Sequence, residues 1–147
     1  MALSCGSVPY WDVNCWKATP VISQLVMAHT TKAVRKGTNA IAESMHLARS
    51  SGLDLAAIPD ALAGGFADSI PLQIFGRRMA RGTYTPILGE LALMLKDLSA
   101  VDELARSHDN ELPMTRAALE VYLRARERGL LREDLAALYT LYSKPAS

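Results

Sequence analysis

Glu43 and His46 stand three apart in a stretch of helical period, the spacing at which a carboxylate and an imidazole share a helix face as paired metal ligands do. A two-metal helical bundle needs a second such pair, and none follows. His29 and His108 are scattered, so no metal site is expected. Cys5 and Cys15 fall outside any metal or redox spacing and read as free thiols. Tyr84, Tyr122, Tyr139 and Tyr142 include no pair spaced for chemistry. Asp102 and Glu103 read as part of a solvated helix face, and Glu133 with Asp134 as a first-turn pair favoured by the helix dipole. By themselves these residues form no acid/base constellation.

The totals narrow the classes. A chain of 147 residues with net charge +1 and an even mix of acids and bases has no field to steer it onto nucleic acid or an acidic membrane. Its N-terminus shows neither a basic leader nor a continuous apolar run, and no stretch is long enough to span a bilayer, so a cytoplasmic protein is expected. Hydrophobic residues make up 50% of the chain and mean hydropathy is +0.08. Such an excess reads as apolar surface meant for a second chain or a further domain, or as the generous core of a monomer.

The element that must position everything else is the stretch Thr19–Asp54. Thr19 and Pro20 are a helix start, Arg49 and Gly52 a helix stop. Between them Lys32, Arg35, Lys36, Asn39, Glu43, His46 and Arg49 form one polar stripe, while Ala33, Val34, Gly37, Ala40, Ile41, Met45 and Ala48 cover a wide, small-residue-rich apolar side. About thirty helical residues would run roughly 45 Å, longer than a compact domain of this size is wide. Residues 1–18, with Trp11 and Trp16, show no period and read as an irregular arm, packed on a partner surface or left as a loose terminus.

Further helices follow in order. Asp54 can cap one reaching Leu62, with Pro59 in its first turn, and Gly64 and Gly65 end it. Asp68 or Ser69 caps the next, which gathers Arg77, Arg78 and Arg81 at its C-terminal end before Gly82. Thr85-Pro86 repeats the Thr-Pro start and predicts a long helix to about Ser107, with Ile87, Leu91, Met94, Leu98, Val101 and Ala105 as one stripe; Leu88, Leu93 and Leu95 suggest burial on more than one side. Pro113 opens a helix with Met114, Ala118, Val121, Tyr122 and Ala125 inward, ended by Gly129. A last helix, from about Glu133 to Ser143, presents Leu135, Leu138, Tyr139 and Tyr142. No segment alternates with period two, so the expected fold is all-α: a bundle of about six helices around one long central helix, one domain over 19–147 behind the arm.

Several local motifs then recur in a family's order and spacing. They are Glu43 with Leu47-Ala48, Gly52-Leu53-Asp54, the run Gly64 to Ser69, Arg78-Met79 with Gly82, then Pro86, Lys96-Asp97-Leu98 and Leu112-Pro113. Together they resemble the C-terminal helical domain of the β-hydroxyacid dehydrogenases, the family of 3-hydroxyisobutyrate dehydrogenase and tartronate semialdehyde reductase (2-hydroxy-3-oxopropionate reductase), built like the C-terminal domain of 6-phosphogluconate dehydrogenase-type enzymes. The resemblance covers roughly residues 21–144. The family's Rossmann domain is not seen, since no G-x-G-x-x-G turn follows a strand pattern.

The resemblance implies hydride transfer between NAD or NADP and a small 3-hydroxy acid or its semialdehyde. In the family a lysine on the long helix works on the substrate hydroxyl as general acid/base, a role burial can tune by lowering its pKa, and an asparagine one turn later helps hold substrate. Counting back from Glu43 and Gly52, the lysine position is Met27 and the asparagine position Thr31, so no catalytic residue is assigned. Lys32 lies five positions on and is rotated by about 140°, so it cannot replace the amine without a bulge, and Lys36 is turned about 180° away. Both read as surface charges. Lys96 matches a family lysine on the cofactor side of the cleft; it is a candidate cofactor contact or a snorkelling surface lysine. Ser69 resembles a position near the cleft, although a helix cap is the preferred reading, and Phe66 lines the same cleft or simply packs.

Three functions follow as expectations. The chain is a family helical domain without a competent catalytic set; or half of a split oxidoreductase completed by a separate Rossmann subunit; or a non-catalytic dimerisation or small-ligand module. A homodimer through the long helix is expected in each, with no cofactor bound by this chain alone.

Overall fold

A computed structural model describes residues 37–142 of the chain, all within one compact unit. The arm, both tryptophans, both cysteines, and Met27, Thr31, Lys32 and Lys36 lie outside the described residues.

The expected all-α class is what the chain adopts: among the described residues there are helices and one isolated antiparallel bridge, Glu90 to Asp134, but no strand. Helix α1 covers 37–50 and buries Thr38, Ile41, Ala42, Met45 and Ala48 at three-to-four spacing. It stops where the glycine signal places the stop. Gly52 takes φ +76°, its N–H bonds to the Arg49 carbonyl at 3.0 Å, and the Leu53 N–H reaches back to Ala48 at 3.0 Å, a Schellman closure.

Helix α2 is short, Ile58–Leu62, with Pro59 in its first turn. Asp54 does not cap it directly. Its carboxylate instead accepts from the Ala56 N–H at 2.9 Å and closes a turn that ends at Ala57, the residue before the helix. Helix α3 spans 70–81, with a π-helical stretch Leu72–Gly76 leading into the α-helical Arg77–Arg81. Gly76 lies at its crossing with α1 and α2: a β-carbon there would sit 3.1 Å from Leu72 Cδ1, 3.6 Å from Pro59 and 3.8 Å from Ile41. Gly82, at φ +63°, ends α3 with the same closure as α1.

Helix α4 begins later than the Thr85-Pro86 signal predicts, at Leu91, and ends at Ser107. The reason is a long-range pairing. The Leu135 N–H bonds to the Gly89 carbonyl at 2.9 Å and the Leu91 N–H to the Glu133 carbonyl at 3.1 Å, which holds Glu90 extended. Thr85–Pro86 is a cis peptide bond. The stripe Leu91, Met94, Leu98, Val101, Ala105 is buried as expected, but Ile87, Leu88 and Leu93 are exposed, so α4 buries one face. Asp102, expected in solvent, is buried between Arg106 at 3.0 Å and Arg116 at 3.9 Å. Helix α5, Pro113–Glu127, opens at the predicted proline and packs along α4 through Ala118, Val121, Tyr122 and Ala125. Met114, expected inward, is exposed, and Thr115 takes the buried position.

The C-terminal segment corrects the reading of a last α-helix. After a 3₁₀ turn, Leu130–Arg132, the helix Leu135–Leu141 is itself 3₁₀. Three residues per turn align its side chains in rows rather than a spiral. Leu135, Leu138 and Leu141 enter the cluster of α4 and α5, whereas Ala136, Tyr139 and Tyr142 enter the cluster of α1 and α3. One short helix thus serves as the wedge between two cores, with Phe75 touching both.

Candidate functional site

An apolar groove of about 450 Å³, lined in part by Ser69, lies between α1, α2 and the start of α3. The apolar side of α1 supplies Ala40, Ile41 and Met45, and α2 with its flanks supplies Ile58, Leu62 and Leu53. Ser44 and Ser69 are its polar lining. Ser69 sits at the groove edge as the cap of α3: its hydroxyl accepts from the Leu72 N–H at 3.2 Å and its carbonyl from the Gln73 N–H at 3.0 Å. The preferred cap reading therefore describes what Ser69 does locally. Phe66, in the loop before it, is fully exposed and does not line the groove. That loop is pinned by Asp68, which accepts from the Gly64 N–H at 2.7 Å and from Gln73 Nε2 at 2.7 Å; these donors, the Gly64 amide foremost, hold its carboxyl below the usual range.

Lys96 is exposed on α4 and does not line this groove. The structure therefore brings Ser69 to the groove but does not bring Lys96 or Phe66 into it.

The polar stripe of α1 is less solvated than its pattern suggests. Asn39 is buried, and Tyr142 lies over the stripe with its hydroxyl 3.1 Å from both Asn39 Oδ1 and Glu43 Oε1. One O–H proton can serve only one of these acceptors at a time. Burial, then the Glu43 charge, push the Tyr142 phenol up to about 12, with Arg124 opposing. The His46 ring is 5.8 Å from that of Tyr142, and Arg49 lies over the Tyr139 ring at 5.4 Å. Glu43 and His46, the one pair spaced like metal ligands, are thus engaged with Tyr142.

A constellation the sequence reading missed lies around Asp134. Expected as a first-turn acid favoured by the helix dipole, Asp134 is fully buried. Its carboxylate accepts from the Leu88 N–H at 2.7 Å and the Ala136 N–H at 3.0 Å, and faces Arg78 Nε at 3.3 Å. The signal available in the sequence was the capping position, an Asp just before Leu-Ala-Ala-Leu. That it would also seize Leu88, far away along the chain, was not legible.

Comparison with known proteins bears on this helical unit. Residues 21–142 match the family model described as NAD-binding of NADP-dependent 3-hydroxyisobutyrate dehydrogenase. The chain belongs to the 3-hydroxyisobutyrate dehydrogenase family. Within this family it is 32% identical over 118 residues to 2-hydroxy-3-oxopropionate reductase of Escherichia coli, covering 80% of this chain and 38% of that protein. It is 24% identical over 140 residues to L-threonate dehydrogenase of Haemophilus influenzae, covering 92% of this chain and 46% of that protein. The chain spans under half the length of either relative. Its fold is similar to that of 3-hydroxyisobutyrate dehydrogenase from Salmonella typhimurium, with TM-score 0.76 and 24% identity over 84% of this chain and 43% of that one. The Mycobacterium tuberculosis 3-hydroxyisobutyrate dehydrogenase, solved with L-serine, gives TM-score 0.71 at 19% identity, over 82% of this chain and 43% of that one. Among the described residues of this 3-hydroxyisobutyrate dehydrogenase family member, no helix is long and apolar enough to cross a membrane.

Proposed function

We propose that this chain is the C-terminal, helical part of a β-hydroxyacid dehydrogenase-type oxidoreductase, acting with NAD or NADP on a small 3-hydroxy acid or its semialdehyde, and that alone it is inactive. The observation carrying this reading is the family match over residues 21–142 in a chain that spans 38% of its 2-hydroxy-3-oxopropionate reductase relative. NAD(P) would accept or deliver the hydride. The described residues offer Lys96 as a candidate contact and hold no glycine-rich turn between strand and helix. A Rossmann domain would complete the cleft. The inactivity rests on Met27 and Thr31, which stand where the family carries its lysine and asparagine and can neither transfer the proton nor reproduce the amide. The test is reduction of NAD⁺ or NADP⁺ by the purified chain with 3-hydroxyisobutyrate. No turnover is expected, and turnover abolished by Lys32→Ala would overturn the alignment of the long helix.

The second reading, a non-catalytic dimerisation module, is favoured by exposed apolar side chains. Leu47, Leu53, Phe66 and Ile70 are exposed, and Leu53 also lines the groove beside the apolar side of α1. Pairing of two copies through the long helix would cover them. Light scattering at micromolar concentration should give the dimer mass, whereas a monomer would rule this out.

A further inference from the structure

Gln73, Ile74, Arg77, Arg78, Arg81, Thr83 and Leu88 enclose a second pocket, of about 330 Å³, between α3 and the loop that follows it. Three arginines at a helix end ordinarily need no ligand, because cations suit the C-terminal dipole. Here part of that demand is already met: the Arg78 and Met79 carbonyls accept from the Thr83 and Gly82 N–H groups at 3.0 and 3.3 Å. The charges are also unequally matched. Arg77 holds Asp60 at 2.6 Å, and Arg78 faces the buried Asp134 while donating to the Pro86 carbonyl at 2.6 Å. Arg81 has no carboxylate of its own among the described residues, although its charge reaches Asp60. The Thr83 hydroxyl likewise has no partner among them. Ile74 and Leu88, 41% and 56% exposed, form apolar walls beside these charges.

We propose that this pocket binds a small organic oxyanion, a carboxylate or phosphate carrying a short apolar body. The Arg81 fork would take the oxyanion in bidentate fashion, Thr83 would donate a third hydrogen bond, and Ile74 and Leu88 would cover the hydrocarbon part. This site does not depend on the dehydrogenase reading, since none of its residues is a catalytic or cleft candidate there.

The test is titration of the full chain, labelled with nitrogen-15, with sodium butyrate and separately with inorganic phosphate, at ionic strength held constant with chloride. Saturable shifts of the Arg81, Gly82 and Thr83 amides in the millimolar range are expected, tighter for butyrate because of the apolar walls. Arg81→Gln should weaken both by about tenfold, the loss expected of a charge-assisted hydrogen bond. Arg132→Gln, which removes an exposed arginine outside the pocket, should leave both unchanged. Shifts that never saturate, Arg81→Gln binding like the parent, or equal weakening by Arg132→Gln would each overturn the site. Saturation by phosphate but not butyrate would overturn the role of the apolar walls.

Discussion

Arg78 Nε lies 3.3 Å from Asp134 Oδ1, joining the end of α3 to the start of the C-terminal 3₁₀ helix. The nitrogen is buried and out of line for a hydrogen bond, so the contact is an ion pair rather than a bidentate clasp. The carboxylate's hydrogen bonds come from backbone, from Leu88 and Ala136. One side chain therefore fixes three segments: α3, the loop before α4 and the closing helix.

Removing that carboxylate should be costly. Asp134→Ala leaves a guanidinium with 14% of its side chain exposed and two backbone amides unpaired. A loss of about 3 kcal/mol is expected, typical of breaking one partner of a buried pair. Urea unfolding should show a lower midpoint with unchanged slope, and a shift worth less than about 1 kcal/mol would show that the pairing is peripheral.

The wedge geometry predicts opposite kinds of damage in adjacent rows. Leu138→Ala opens a cavity among α4, α5 and the 3₁₀ helix and should cost about 2 to 5 kcal/mol. Ala136→Leu overfills the cluster with α1 and should cost about 1 to 3 kcal/mol. If either is neutral in thermal unfolding, that row does not bear on the core as described.

At Gly76 two effects compete. Alanine there gains up to about 1 kcal/mol of helix propensity but places its β-carbon 3.1 Å from a flexible Leu72 methyl, so Gly76→Ala should be close to neutral. Valine would also reach toward Pro59 and Ile41 and should destabilise by about 1 to 3 kcal/mol. Chemical denaturation of the two variants side by side checks the difference.

Tyr142 gives the molecule an alkaline dependence. Its phenol is raised from 10.0 to about 12, so its contribution to stability is full below pH 10. Above that the unfolded chain loses the proton first, and stability falls as pH rises toward 12. Melting temperature against pH should show this decline, and Tyr142→Phe should flatten it. A decline of the same size in the variant would assign it to other groups.

Much of this molecule was legible as local signals. Gly52, Gly82 and Gly129 mark helix ends because each takes a positive φ that other residues resist, and Pro113 opens α5 because a first-turn position needs no N–H. The α4 stripe followed from its period, and the motif series from Glu43 to Pro113 was enough to suggest the family that the match over 21–142 shows. What the sequence could not settle was decided by groups distant in the chain. Pairing of 89–91 with 133–135 moved the start of α4 to Leu91 and sank Asp134, while Arg106 and Arg116 allowed Asp102 to be buried. Propensity and period act over a few residues. Whether a charged side chain is buried or a leucine left outside depends on which partners the chain brings to it, and that is known only once the helices are packed.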